Sequence, residues 1–226
     1  MGADNTICSY EDWAIAAHPT SGNNTVLEIG SSKTLTIDTG HYAVGDPEID
    51  DGAAAHTVTV NGVIGGAGNL RIVGGGTNRV TSASAEMTGT YTVSSGATAV
   101  FAAGSGFASA TVSVANGGRL VAGGSAAKAG KLKVANGSTL EFKLNDATCT
   151  SFAATSVTPA ASGAKAAIAF TPGSVKSVGK AYTLVTGANL ADASAFAIPE
   201  GDRGSLSIDS GNLVYTAPTY FYIKVK

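Results

Sequence analysis

Four carboxylates lie within six residues in the segment GDPEIDDG, at 45–52 of the 226-residue chain. Oxygen ligands that cluster in a turn can bind Ca²⁺, so Asp46, Glu48, Asp50 and Asp51 form a candidate calcium site. Their spacing differs from that of an EF-hand loop, because no glycine and no final glutamate stand at the positions that such a loop requires. The alternative interpretation is a solvated acidic loop. We predict no bound cofactor, with calcium at this segment as the weak candidate.

The segment GGAGNLRIV, at 65–73, has the glycines of the calcium-binding nonapeptide G-G-x-G-x-D-x-U-x of RTX β-rolls. Leu70 occupies the position of the aspartate that binds the metal, so no carboxylate is available here. Leu70 and Ile72 share the period of a strand and are predicted to point inward, with Asn69 and Arg71 outward. The segment is therefore interpreted as a glycine turn that enters a strand.

Residues suited to nucleophilic or acid–base catalysis are sparse. The three histidines, His18, His41 and His56, lie in the first quarter of the chain, and no serine stands in a G-x-S-x-G motif. A glycosidase needs two carboxyl groups that face each other across a cleft, and the sequence shows no ladder of acidic and basic residues. We predict that the chain is not an enzyme, with a carbohydrate-active β-helix enzyme as the remaining alternative.

Cys8 and Cys149 are the only two cysteines. If paired, they would close a loop of about 140 residues, which stabilises a fold by up to ~5 kcal/mol by restricting the unfolded chain. Two separate buried thiols are the other interpretation, and the sequence leaves both open.

The composition favours a folded chain with many short strands and tight turns. Hydrophobic residues make up 44% of the chain, charged residues 13%, and there are 30 glycines. No apolar run reaches the ~20 residues of a membrane-spanning helix. No dense cluster of lysine and arginine marks a nucleic-acid surface. We predict no membrane span and no nucleic-acid partner.

The first segment, residues 1–24, is predicted to contain a short helix. Ser9 and Asp12 have the spacing of a capping box. Apolar residues around Trp13 follow at helical spacing. We expect a helix over 9–17 that caps the first coil of the domain that follows.

From residue 25 onward, apolar and polar residues alternate in short runs, which is the period of half-buried strands. When Gly96, Gly117 and Gly137 are superposed, the runs VSSGATAVF, VANGGRLVA and VANGSTLEF align at a spacing of about 20 residues. This period is typical of a β-solenoid, in which each coil buries its apolar face on the next. We predict an all-β fold, a right-handed parallel β-helix over 25–226, with a β-sandwich as the alternative.

The repeats are clearest over 57–145, in TVTVNGVIGGAGNLRIVGGGTNRV, TGTYTVSSGATAVFAAG and TVSVANGGRLVAGG, and residues 181–226 are assigned to the terminal coils. These segments resemble the autotransporter-associated β-strand repeat. The resemblance implies a right-handed β-helix that is secreted or displayed on a bacterial cell surface, with the repeats as scaffold. The family's C-terminal transporter barrel does not fit after residue 216, so the resemblance implies an isolated passenger region or another export route.

Charge is unevenly distributed along the chain. Residues 1–62 contain nine acids and one lysine, whereas residues 63–226 contain seven acids and thirteen bases. A rod with this distribution has a negative and a positive end, which favours head-to-tail contact and open filaments. The predicted final strand supplies an edge for strand addition, formed by Tyr220, Phe221, Tyr222, Ile223, Lys224, Val225 and Lys226.

These observations together predict a non-catalytic structural β-solenoid, secreted or on the bacterial cell surface. It would associate with itself head-to-tail or with other subunits of an extracellular fibre. The alternative is an adhesin that binds a glycan or a host protein along one side of the solenoid.

Overall fold

The computed structural model describes residues 5–8, 13–15, 26–40, 56–159 and 165–219, and these form β-strands without a helix. No described segment is therefore a helix that could cross a membrane. The strands in chain order are β1 (Asn5–Cys8), β2 (Trp13–Ile15), β3 (Val26–Glu28), β4 (Thr34–Asp38), β5 (Thr57–Val60), β6 (Val63–Gly65), β7 (Asn69–Val73), β8 (Thr77–Val80), β9 (Thr90–Val93), β10 (Thr98–Phe101), β11 (Thr111–Val114), β12 (Arg119–Ala122), β13 (Ala127–Lys128), β14 (Lys131–Val134), β15 (Thr139–Phe142), β16 (Leu144–Asn145), β17 (Thr148–Cys149), β18 (Phe152–Ala153), β19 (Ser156–Thr158), β20 (Ala166–Phe170), β21 (Ala181–Thr186), β22 (Phe196–Ala197), β23 (Ser205–Asp209) and β24 (Asn212–Thr216).

Two long parallel sheets run along the chain. Sheet 1 has the strand order β1-β4-β7-β9-β11-β14-β19, and sheet 2 the order β2-β5-β8-β10-β12-β15-β20-β22. The chain visits the two sheets alternately, so each strand pairs with one from the next coil. Parallel pairing between successive coils is the arrangement of a β-solenoid and differs from the antiparallel sheets of a β-sandwich.

The repeat of about 20 residues is confirmed by the strand register. In sheet 1, Val114 pairs with Val93 on one side and with Val134 on the other. In sheet 2, Leu120 pairs with Ala99 and with Leu140. The three glycines used to align the repeat all have φ between 71° and 79°, the left-handed conformation that a tight turn between strands requires.

The core lies between the sheets and is built from the inward residues of each strand. Aromatic rings contribute to this core, where Tyr91 stacks on Phe107 with ring centroids 4.6 Å apart. Phe101 meets Phe107 edge-on at 5.6 Å, and Phe142 meets Phe152 in the same way at 5.6 Å. Such pairs contribute about 0.5–1.5 kcal/mol each beyond the area they bury.

The predicted N-terminal capping helix is wrong over the residues that the structure describes. Trp13–Ile15 form strand β2, which pairs in parallel with β5 and begins sheet 2. The open edge of β5 offers backbone hydrogen bonds to a neighbouring strand, and this tertiary pairing overrides a weak local helix signal. The remaining residues of 9–17 lie outside the described part of the chain.

The terminal region differs from the stacked coils expected over 181–226. Strand β21 adds in parallel to sheet 3, which has the order β13-β18-β21-β24-β23, but β24 and β23 are antiparallel to their neighbours. A two-residue turn at Ser210 and Gly211 joins β23 to β24, with φ of 49° and 77°. Two successive positive φ angles characterise the type I′ turn of a tight hairpin.

Candidate functional site

Two of the sites predicted from the sequence lie outside the described residues. The acidic segment with Asp46, Glu48, Asp50 and Asp51 falls in the range 41–55, and the assembly edge falls in 220–226. Within the described ranges, no group of three or more His, Cys, Asp or Glu side chains could hold a metal ion. The calcium site and the assembly edge therefore stay predictions.

Cys149 is a free, half-buried thiol at the end of β17. Its Sγ donates a hydrogen bond to the carbonyl oxygen of Thr183 at 3.2 Å. Burial raises its pKa to about 11, so the thiol stays protonated and unreactive near neutral pH. Cys8 ends β1, at the opposite end of sheet 1 from β19. The pairing of Cys8 with Cys149 stays a prediction.

The segment GGAGNLRIV forms a turn and strand β7, as expected. Leu70 and Ile72 are fully buried and Arg71 is exposed. A Cβ on Gly66, whose φ is +92°, would lie 2.3 Å from the carbonyl oxygen of Ile29 on the preceding coil. The glycine thus permits close stacking of coils, a role that needs no metal.

The outer face of sheet 1 is an array of polar side chains, which we call the polar face. Period-2 alternation places every second residue outside, so two columns run across the strands. Neighbouring side chains are about 4.8 Å apart within a column and about 6.8 Å apart along a strand. The first column contains Thr34, Asn69, Thr90, Thr111, Lys131 and Ser156, and the second contains Thr36, Arg71, Thr92, Ser113, Lys133 and Thr158.

All twelve of these side chains are at least partly exposed, and none is a carboxylate. Three carry positive charge: Arg71, Lys131 and Lys133. Sequence analysis missed this face because the coils differ in length, with 35 residues from Leu35 to its partner Leu70 but 21 from Leu70 to Tyr91. The detectable signal was the polar–apolar–polar triplet, which recurs in every strand of the sheet from β4 to β19.

The outer face of sheet 2 has a different chemistry. Val100 and Val121 occupy adjacent outward positions, and Arg119 forms an ion pair with Glu141 on the next strand. The Glu141 side chain is only 5% exposed, and its Oε1 accepts a hydrogen bond of 2.9 Å from Oγ1 of Thr171. Because its charge is paired within the sheet, Glu141 has a structural role here.

An apolar groove of about 460 Å³ lies at the end of the stack. One wall comes from β22, the edge strand of sheet 2, with Phe196. The other comes from β23, the edge strand of sheet 3, with Ser205 and Leu206. Ile198 and Lys165 also line the groove. Among the described residues, β22 and β23 are therefore edge strands that border one concave, mainly apolar surface.

A cluster around Asp202 holds the loop between these two edge strands. Lys176 forms an ion pair with Asp202 and lies over the Phe170 ring, 4.5 Å from its centroid, and 5.4 Å from that of Tyr215. Oδ1 of Asp202 accepts hydrogen bonds of 2.8 Å each from the Tyr215 hydroxyl and the Gly204 amide. The cluster ties the loop to the last coil and the hairpin.

The Asp202 carboxylate is stabilised in its charged form although its side chain is only 5% exposed. Burial raises its pKa, but hydrogen bonds from Lys176, Gly204 and Tyr215 and the Lys176 charge outweigh burial and hold the pKa below its ordinary value. Three donors, one of them the Lys176 ammonium, bind this carboxylate, so Asp202 holds the loop in position.

No family model and no curated protein matches the chain. The resemblance to the autotransporter-associated repeat therefore remains a prediction from the quoted segments. The features on which a function can be argued are the groove at the end of the stack and the polar face.

Proposed function

We propose that this chain is a structural β-solenoid of a secreted or cell-surface bacterial protein, right-handed and non-catalytic, which assembles end to end with further copies. The observation that carries the proposal is the groove between the edge strands β22 and β23. A strand edge beside an apolar groove provides both parts of a strand-addition surface: backbone hydrogen-bonding groups and a pocket for side chains.

The lining of the groove supports docking of an apolar strand. Leu206 and Ile198 are half-buried and pack against the core, so part of each side chain remains accessible. Burial of apolar surface contributes about 25 cal/mol per Å². Covering this groove with an incoming coil would continue the same stacking that stabilises each internal coil.

The charge distribution supports a head-to-tail direction. The first 62 residues contain nine acids and one lysine, whereas the rest of the chain, which includes the groove, contains thirteen bases and seven acids. Contact between unlike ends generates an open chain of subunits, because the two contacting surfaces differ. The attraction between such ends weakens as salt screens it.

Static light scattering and electron microscopy of the purified chain at low and high ionic strength test this function. We expect concentration-dependent linear particles at low ionic strength, with shorter particles at high ionic strength. A monodisperse monomer at every salt and protein concentration would overturn the proposal.

A further inference from the structure

We propose that the polar face of sheet 1 binds an extended acidic polysaccharide, one that carries uronic acid or sulfate groups and lies along the stack of coils. This binding site is separate from the groove at the end of the stack. It goes beyond end-to-end assembly, and the observations that carry it do not depend on that assembly.

Charge complementarity identifies the occupant as an anion. Lys131 and Lys133 stand side by side on β14, about 6.8 Å apart, and both are exposed. Among the described residues neither forms an ion pair. The acid on the outer side of β4 is Asp38, at the corner of the sheet, where its Oδ1 accepts a hydrogen bond from the Gly40 amide at 2.9 Å. Two unpaired, adjacent ammonium groups repel each other, and a bound anion relieves that repulsion.

The position of Arg71 sets the direction and length of the occupant. It lies in the same column as Lys133, three strand steps away, which is about 14 Å. Its Nε donates a hydrogen bond of 3.1 Å to Oγ of Ser94. The two terminal nitrogens of the guanidinium can still form the paired hydrogen bonds that a carboxylate or sulfate accepts. A chain of several sugars along the column reaches both cationic positions.

The side chains between these cations identify the polymer as a glycan. Thr92 and Ser113 separate Arg71 from Lys133 in the column, and Thr90 and Thr111 lie beside them. Hydroxyl groups both donate and accept hydrogen bonds, as sugar hydroxyls do. None of the twelve side chains of the polar face is aromatic, so the bases of a single-stranded nucleic acid would have no ring on which to stack.

The comparison with sheet 2 supports a function for sheet 1 alone. On the outer face of sheet 2, Arg119 forms an ion pair with Glu141, and the neighbouring column contains Arg79, Val100 and Val121. One scaffold thus presents a partly apolar face that includes a carboxylate, and a cationic, hydroxyl-rich face whose two columns contain none. The structural repeat by itself requires only polar outward residues, and it does not require charges of one sign.

Binding to immobilised polygalacturonate and heparin tests the proposal, with neutral dextran and single-stranded DNA measured alongside. The variant Lys131→Glu/Lys133→Glu reverses the charge of the face. The matched control, Arg79→Glu/Lys143→Glu, makes the same change in net charge at two exposed sites outside it. We expect the first variant to weaken binding of an acidic polymer about tenfold or more, whereas the control changes it less than about twofold.

A third variant, Thr90→Val/Thr92→Val, removes two hydroxyls without changing charge or shape and should also weaken glycan binding. Equal losses in the face and control variants, or no binding of either acidic polymer at low ionic strength, would overturn the proposal. Single-stranded DNA bound as tightly as polygalacturonate would also overturn it, since the face would then be a general cationic surface. Light scattering of the Lys131→Glu/Lys133→Glu variant shows whether end-to-end assembly persists, which separates failure of this site from failure of the proposed function.

Discussion

The hydroxyl of Tyr91 donates a hydrogen bond of 2.7 Å to Oδ1 of Asn78 inside the stack, where both side chains are fully buried. Nδ2 of Asn78 in turn donates to the carbonyl oxygen of Val58 at 3.0 Å. Tyr91 belongs to sheet 1 and Asn78 to sheet 2, so this hydrogen bond joins the two sheets across the core. Asn78 stands in a column whose other members, such as Ala99, are apolar, and its polar atoms are satisfied by these contacts.

Removing the hydroxyl should be costly because it leaves Oδ1 of Asn78 buried without a donor. We expect Tyr91→Phe to lower the free energy of unfolding by about 1–3 kcal/mol. The double variant Tyr91→Phe/Asn78→Leu should lose less than the sum of the two single losses, since it removes both polar partners. Urea denaturation in a double-mutant cycle measures the coupling. Additive losses would show that the two residues do not interact.

Alkaline pH should destabilise the protein through the same tyrosine. Burial raises the pKa of Tyr91 well above its ordinary value, so the folded state keeps the phenol protonated where the unfolded state ionises. The contribution is fully present below about pH 10 and is lost as pH rises further, at up to about 1.4 kcal/mol per pH unit. Thermal denaturation between pH 8 and 11 should show a shallower decline for Tyr91→Phe than for the wild type. Parallel declines would contradict the burial of this group.

Glycine in the turns should be required most where coils approach closely. Gly66→Ala would place a Cβ 2.3 Å from the Ile29 carbonyl oxygen, whereas Gly104 also has a positive φ of +66° but nothing within 4 Å. We expect Gly104→Ala to cost about 1–2 kcal/mol from backbone strain alone. Gly66→Ala should cost clearly more, because a coil must move. Equal changes in the urea midpoint would indicate that stacking does not limit this turn.

Acid should loosen the loop that borders the groove. The pKa of Asp202 is lowered despite burial, so its contribution to stability is present above about pH 4 and is lost as the pH falls through the folded-state value. We expect Asp202→Asn to reduce stability at pH 7 and to flatten the dependence on pH below about 4. Hydrogen exchange of the Gly204 amide, which donates to Asp202, reports the change locally. Unchanged protection of this amide in the variant would contradict its role.

The sequence predicted the coils well because the information is local and periodic. Inward residues such as Leu120 and Leu140, and turn glycines such as Gly117, recur at nearly constant spacing, so the register could be aligned directly. The polar face was missed because its outward residues differ in type from coil to coil, and because β4 and β19 join it through coils of unequal length. The cluster around Asp202 was missed for a similar reason, since Lys176 and Tyr215 come from segments with no shared pattern.

The ends were harder to predict because hydrogen bonding to a neighbouring strand, and not local preference, decides their conformation. The capping-box spacing near Trp13 indicated a helix, but β5 offers these residues a parallel strand partner. At the other end, alternation indicated further coils, whereas the turn at Gly211 reverses the chain into a hairpin. Alternation alone does not distinguish parallel from antiparallel partners.

Light scattering of groove variants tests end-to-end assembly most directly. Ser205→Lys and Leu206→Glu place a charge in the groove, and Val178→Glu, at a residue that is 58% exposed outside it, is the control. Circular dichroism establishes that each variant is folded. We predict that both groove variants remain monomeric under conditions where the wild type and the control form linear particles. Particles of equal length in all four proteins would contradict assembly through this groove.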